Sequence, residues 1–98
     1  MSDHHDIEGA SVKIFWRDTM SYGGECGIQE VKGFGYFDVE TEGTLVEETE
    51  NTFKVVQQVW RDNNSVHCYH NVVVVPKLSI ERMVIMNEGA EVYRNASL

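Results

Sequence analysis

The sequence predicts an all-β fold, a small and strongly bent antiparallel barrel of five to six strands. β-branched residues dominate its apolar set, with 14 Val and 5 Ile against 3 Leu and 3 Ala among 98 residues. These side chains lose rotamer freedom in a helix and pack well on a pleated sheet. Several short segments also alternate apolar with polar residues, as half-buried strands do. Closure into a barrel is expected because it removes the exposed edges that a small antiparallel sheet would leave.

The predicted elements follow the alternation along the chain. Strands are expected at residues 11–18, 34–40, 44–49, 53–60, 66–75 and 84–86, with hairpin turns at 50–51 and 61–65. Residues 19–33 carry four glycines and predict a long loop. Thr41-Glu42-Gly43 predicts a turn or bulge, because glycine lets a strand bend or adopt a positive φ. Pro76, the only proline, cannot donate to a sheet ladder, so one short helical turn is expected near residues 77–82.

The chain is predicted to form one domain, since about this length suffices for a single core. Residues 1–10 are expected to be a flexible polar arm, 11–86 the barrel and 87–98 a polar C-terminal tail. The polar, acidic N-terminus does not resemble a secretion signal, and no apolar run reaches the ~20 residues of a membrane span, so a cytoplasmic location without membrane contact is expected. Cys26 and Cys68 fit a reducing compartment, although a bridge between them remains open.

The charge is strongly acidic and unevenly spread. The net charge is −8, from 8 basic and 16 acidic residues. No Lys or Arg lies between Lys32 and Lys54, a stretch that contains six acids. The predicted partner-binding residues are Glu40, Glu42, Glu47, Glu48 and Glu50. This stretch is either a solvated hairpin or a surface that binds a basic protein or mimics nucleic acid. A polymeric nucleic acid is not expected as a partner, because phosphate binding normally depends on Lys and Arg.

The ten aromatic residues (four Phe, four Tyr, two Trp) exceed what one face of so small a barrel hides. Phe15 and Trp16 point to opposite faces of one strand, so some aromatic rings must face outward. They could be covered by loops and tails, form a subunit interface, or stack on a base. The predicted ligand-binding residues, suited to one small phosphate-bearing nucleotide held between subunits, are Trp16, Arg17, Trp60, Arg61, His67 and Tyr69.

His67-Cys68-x-His70 is the densest group of possible metal ligands. Cys68 and His70 share one face of a strand while His67 points to the other, so at most two ligands converge where a structural zinc needs about four. No third residue orients a Cys/His pair for catalysis, and nothing apolar separates the pKa values of neighbouring carboxylates. We therefore predict no catalytic residue, no metal and no cofactor, and a protein that is not an enzyme.

Some motifs resemble those of a known family. Gly43-x-Leu45-x-x-x-Thr49-x-x-x-Phe53-x-Val55 resembles the first motif of Sm-like barrels, and Tyr69-His70-Asn71 with the following valines and Pro76 resembles the second. Trp16-Arg17-Asp18 and the closing segment up to Met83 are similar to small barrel proteins of phages. The resemblance spans residues 12–86. The chain departs from it in having Thr49 where an acid is usual and no Asn-Gly pair.

The resemblance implies a small Sm-like or SH3-like barrel that assembles into a homo-oligomer through an exposed strand edge. It also implies a phage-type accessory or anti-defence role. Combined with the charge and the aromatic residues, it predicts a self-associating binding protein that sequesters or blocks a host protein through the acidic hairpin. The alternatives are a sponge for a small nucleotide signal at a subunit interface and, ranked last because of the charge, Sm-type RNA binding.

Overall fold

A computed structural model describes residues 7–18, 24–33, 35–62 and 65–95 of the chain, apart from the side chains of Trp60, Asp62 and residues 65–67. Six antiparallel strands form one sheet in the order β4-β3-β2-β1-β5-β6, which confirms the all-β prediction. The strands are β1 (Ser11–Asp18), β2 (Phe37–Glu48), β3 (Thr52–Asp62), β4 (Ser65–Pro76), β5 (Ile80–Ile85) and β6 (Glu91–Arg94). A short helix, α1 (Ile28–Gly33), precedes β2, and a 3-10 turn (Lys77–Ser79) joins β4 to β5.

The sheet is open, so the predicted barrel is not confirmed. In the described part of the chain β4 and β6 are the two edges, and no ladder joins them. The sheet is nevertheless strongly curved. Phe53 on β3 and Tyr93 on β6 lie four strand spacings apart, or about 19 Å across a flat sheet. Their ring centroids are only 5.2 Å apart, edge to face.

The core fills the inner face of this curved sheet. Its fully buried members come from five strands: Val12, Ile14, Leu45, Phe53, Val55, Val75, Ile80 and Met83. Hydrogen bonds from side chains and turns, rather than a strand ladder, connect the two ends of the curved sheet. The Tyr93 hydroxyl donates to the backbone oxygen of Lys77 at 3.4 Å, and the Asn95 amide donates to the same oxygen at 3.3 Å. The Lys77 amide in turn donates to the Asn51 oxygen at 2.8 Å.

Gly43 marks the point where β2 changes partners. Residues 37–44 of β2 pair with β1, and its later residues pair with β3 from Thr44 onward. A Cβ at position 43 would lie 2.5 Å from the backbone oxygen of Val56 and 2.6 Å from a methyl carbon of Val55, so only glycine fits. The turn predicted at 41–43 is wrong, because β2 continues through these residues and the register shift lies between Leu45 and Glu47.

The hairpin of β3 and β4 divides into two halves. Its proximal half, residues 52–56 and 72–76, adjoins β2 and contributes to the core. Its distal half, residues 57–62 and 65–71, pairs in the described structure only with itself and gives the molecule an elongated outline of 56 × 30 × 24 Å. Asn71 has a φ of 57°, a conformation that Asn tolerates better than most residues, at the junction of the two halves.

Three elements differ from the sequence predictions. The predicted loop at 19–33 contains α1, whose residues are all exposed. β5 begins at Ile80 rather than at 84. The predicted tail contains β6, because Val92 and Tyr93 pack against the core. The predicted short helical turn is confirmed as the 3-10 turn. The domain limits of 1–10, 11–86 and 87–98 remain a prediction, with residues 1–6 and 96–98 outside the described residues.

Candidate functional site

Charged side chains cover the outer face of β1 and β2. Alternate residues of the two strands pair directly across the ladder, and the residues between them, such as Ile14 and Thr41, are buried. The outward pairs are Lys13 with Glu42, Phe15 with Glu40, and Arg17 with Asp38. β1 thus places two cations and an aromatic ring beside an acidic strand.

Each cation on this face is shared between two carboxylates. The Lys13 ammonium lies 3.2 Å from Glu40 and 3.4 Å from Glu42. Its hydrogen bond and charge interaction with Glu40, reinforced by Glu42, raise the pKa of Lys13 above its usual value. The Arg17 Nε lies 3.1 Å from Glu81 on β5 and 3.8 Å from Asp38. Both cations are therefore engaged by acids of the same chain.

The aromatic residues of β1 have separate environments. The Arg82 guanidinium lies 4.1 Å from the centroid of the Phe15 ring, and the Lys13 ammonium lies 5.4 Å from it, both within cation–π range. Trp16 points the other way, packs against the core and donates its indole N–H to the Thr41 hydroxyl at 2.9 Å. The Trp16 ring is thus part of the fold as well as a candidate stacking surface.

A pocket of about 300 Å³ opens beside these residues. Its lining consists of Phe15, Trp16, Asp38, Val39, Glu40 and Glu81. The three carboxylates give it negative charge, and the neighbouring Arg17 already pairs with two of them, Asp38 and Glu81. This pocket suits a cationic group better than a phosphate.

The predicted ligand residues whose side chains the structure describes fall into two groups on different strands. Trp16 and Arg17 lie on β1, whose ladder neighbours are β2 and β5. Arg61 and Tyr69 lie on the distal half of the hairpin, and both are exposed. The side chains of Trp60 and His67 lie outside the described part of the structure. A ligand held between subunits, in contact with both groups, stays a prediction.

The five predicted partner-binding acids occupy three environments. Glu40 and Glu42 lie on the outer face with Lys13, and Glu47 pairs with Lys54 at 2.7 Å beside them. Glu50 is exposed in the turn between β2 and β3. Glu48 points inward instead: its side chain is 9% exposed and pairs with Lys77. The Lys77 ammonium also lies 4.9 Å from the centroid of the Phe53 ring, so this pair belongs to the end of the core.

Exposed apolar residues lie before β2 and at its first position. Ile28 and Val31 are exposed on α1, and their spacing of three residues places them on one helix face. Tyr36 is 69% exposed and Phe37 is 52% exposed, directly before the acids of β2. The sequence predicted some outward aromatic rings but not these four exposed residues. The three-residue spacing of Ile28 and Val31 is typical of a helix face, but the four glycines of residues 19–33 favoured the prediction of a loop.

A second exposed surface lies on β4. Tyr69, Val72 and Val74 are exposed on this edge strand. Cys68 and His70 share a face, as their spacing predicts, with the sulfur 3.3 Å from the ring Nε2. Cys26 and Cys68 form no disulfide. Within the described residues no group of three or more His, Cys, Asp and Glu side chains is arranged to hold a metal.

Comparison with known proteins adds no further constraint. No protein-family model, curated protein or solved structure matches the chain. The described helices include none that is long and apolar enough to cross a membrane.

Proposed function

We propose that the chain is a non-enzymatic binding protein that engages a basic protein partner. The contact region lies at the start of β2 and is called the aromatic–acidic surface: Tyr36, Phe37, Asp38, Glu40 and Glu42, with Phe37 on the opposite side of the strand from the three acids. The observation that carries the proposal is the exposure of Tyr36 and Phe37 where the acidic part of β2 begins. Large exposed aromatic side chains are typical of protein-binding sites.

The two parts of this surface supply different contributions. Aromatic rings bury much apolar area at little conformational cost and dominate the energy of many interfaces. Carboxylates orient a cationic partner and increase its association rate constant. Counting the adjoining residues of β5, the surface has four carboxylates against three cations and therefore retains negative charge. The carboxylates are those of Asp38, Glu40, Glu42 and Glu81, and the cations are Lys13, Arg17 and Arg82.

Self-association is part of the same proposal and is supported by another region. β4 is an edge strand with exposed Val72 and Val74, and such edges offer unpaired backbone groups to a second chain. The phage-type anti-defence role, the host-protein target and the cytoplasmic location stay predictions. So do the sponge for a nucleotide signal and Sm-type RNA binding, although the engagement of Arg17 by two carboxylates weighs against binding of a phosphate there.

Selection from a random peptide library displayed on beads tests the partner chemistry. We expect peptides rich in Lys or Arg with at least one large apolar residue to be enriched on the intact protein. Binding of a selected peptide should weaken by about 10-fold or more when Tyr36 and Phe37 are both replaced by Ala, as for central interface residues. Replacing Glu40 and Glu42 by Gln should weaken it less and should reduce its dependence on salt.

Matched variants at exposed positions away from this surface serve as controls. Leu78→Ala removes a still more exposed apolar side chain, and Glu88→Gln removes an exposed acid. Both should bind a selected peptide as the unaltered protein does. Enrichment of acidic or uncharged peptides, or equal binding by the Tyr36→Ala/Phe37→Ala variant, would show that the proposal is wrong.

A further inference from the structure

The spacing of Cys68 and His70 matches that of two ligands on one zinc ion. Their Sγ and Nε2 atoms are 3.3 Å apart. Zinc–sulfur bonds of about 2.3 Å and zinc–nitrogen bonds of about 2.0–2.1 Å, at a tetrahedral angle, place the two ligand atoms about 3.5 Å apart. Coordination of Zn²⁺ by this pair therefore requires an adjustment of only about 0.2 Å. Thiolate and imidazole are also the ligands that zinc prefers.

The described residues of one chain do not complete such a site. A structural zinc is held by four protein ligands. The described residues contain no group of three or more metal-ligating side chains, and the only other cysteine, Cys26, lies near α1 in the connection between β1 and β2. A second copy would contribute the same two ligands, which makes four.

The surroundings of the pair favour a second copy as the source. The residues of the hairpin face that carries His70 are paired as Gln58 with His70, Val56 with Val72, and Lys54 with Val74. Val72 is 56% exposed and Val74 is 50% exposed, so this face offers apolar area beside the ligands. A two-fold axis brings identical patches together, and β4 is an edge strand with access for another chain.

We propose that Cys68 and His70 from two copies bind one Zn²⁺ ion in a Cys₂His₂ site that links two hairpins. Zinc binds the thiolate, so each Cys68 releases its thiol proton to solvent, two protons for each metal bound. No electron is transferred. Val72 and Val74 pack against their counterparts when the hairpins meet. The site rests on the proposed self-association through β4 but not on the aromatic–acidic surface around β2, so zinc-linked dimerisation and peptide binding can fail separately.

Titration of the full chain with zinc chloride tests the site. The protein is first freed of metal by a chelator and kept reduced by a phosphine, which prevents disulfide formation. Native mass spectrometry should show a dimer that contains one zinc for two chains. Cobalt chloride should give the visible bands of tetrahedral cobalt together with a thiolate-to-cobalt charge-transfer band in the near ultraviolet. Binding should release two protons per metal in a weakly buffered solution.

Variants assign the ligands. Cys68→Ser and His70→Gln each remove a direct zinc ligand. Loss of a residue that only hydrogen-bonds a ligand lowers metal affinity by about 10- to 100-fold, so each of these variants should lose more than that. Each should also abolish the zinc-dependent dimer. Cys26→Ser should retain both properties. A variant with His4→Gln and His5→Gln removes the N-terminal histidines as alternative ligands and should also retain them. Circular dichroism should show that all variants stay folded, because the replaced hairpin residues are not part of the core.

Several results would overturn the proposal. One metal bound per chain without dimerisation would mean that the ligands come from a single copy. Undiminished binding by Cys68→Ser or by His70→Gln would place the metal elsewhere. Absence of zinc binding and of cobalt charge transfer at micromolar metal would exclude the site altogether.

Discussion

The proximal and distal halves of the β3–β4 hairpin share two strands but differ in their neighbours. In the proximal half Phe53, Val55 and Val75 are fully buried among residues from other strands. In the distal half Tyr69 is exposed, and in the described structure the two strands pair only with each other. A continuous ladder therefore joins a region that stabilises the fold to a region in which none of the described side chains is buried.

This difference indicates which parts of the chain can carry binding residues without a loss of stability. Segments with few buried contacts open locally at low free-energy cost and accept substitutions easily. The ligand pair Cys68 and His70 lies in the distal half, and the aromatic–acidic surface begins outside the core. Both candidate sites are thus placed where loss of a side chain should alter binding without unfolding the protein.

Removal of one aromatic ring from each half should give the largest difference in the free energy of unfolding between two variants. Phe53→Ala removes a fully buried ring and should lower the free energy of unfolding by about 3–5 kcal/mol. Tyr69→Ala removes a ring that is 45% exposed and should lower it by less than about 1 kcal/mol. Urea denaturation of the two variants measures both values. Similar losses in the two variants would show that the distal half contributes as much to stability as the core.

The close approach of β2 to the proximal half of the hairpin at Gly43 should also be sensitive to substitution. Gly43→Ala places a Cβ against the Val56 carbonyl and should cost about 1–3 kcal/mol, since backbone atoms cannot move aside as a side chain can. Gly35→Ala is the matched control, because a Cβ there would meet no atom within 4 Å. Equal melting temperatures of the two variants would contradict the close approach at Gly43.

Periodicity explains how much of this architecture was predictable. Alternation predicted β1, whose inner residues Val12 and Ile14 are buried, whereas the turn or bulge predicted at 41–43 is continuous strand. The short β6 was missed because its two inward residues, Val92 and Tyr93, are too few to define a period. The barrel closure predicted from the sequence is not confirmed, and the curvature of the open sheet depends on contacts such as Tyr93 with Phe53, between residues 40 positions apart.

The candidate sites were less predictable than the fold. The acidic stretch was visible as composition, but the inward position of Glu48 depends on the register shift between Leu45 and Glu47. Exposure of Tyr36 and Phe37 depends on where β2 begins, and element ends are poorly specified by sequence. By contrast, the shared face of Cys68 and His70 follows directly from strand geometry.

The two ion pairs at the end of β2, one pointing inward and one outward, should contribute unequally to the free energy of unfolding. Lys77→Met removes the ammonium that pairs with the nearly buried Glu48 and its contact with the Phe53 ring, and it should cost about 1–3 kcal/mol. Lys54→Met breaks the pair with Glu47, in which both side chains are well exposed, and should cost less than about 1 kcal/mol. Urea denaturation at neutral pH compares them, and a larger loss for Lys54→Met would contradict this assignment of inside and outside.

The smallest effect is expected at the opposite edge of the sheet, on β6. Glu91 accepts hydrogen bonds from Arg94 at 2.6 and 2.9 Å, and this contact lowers the pKa of the Glu91 carboxyl below its usual value. A lowered pKa in the folded state means that the stabilising effect is complete above the unfolded value and is lost as pH falls through the folded one. Glu91→Gln should therefore lower the melting temperature slightly at pH 7 and hardly at all in strong acid. Glu88→Gln, at an exposed neighbouring position, should leave the melting temperature unchanged at pH 7. If the lower melting temperature of Glu91→Gln persists in strong acid, the ion pair is not its cause.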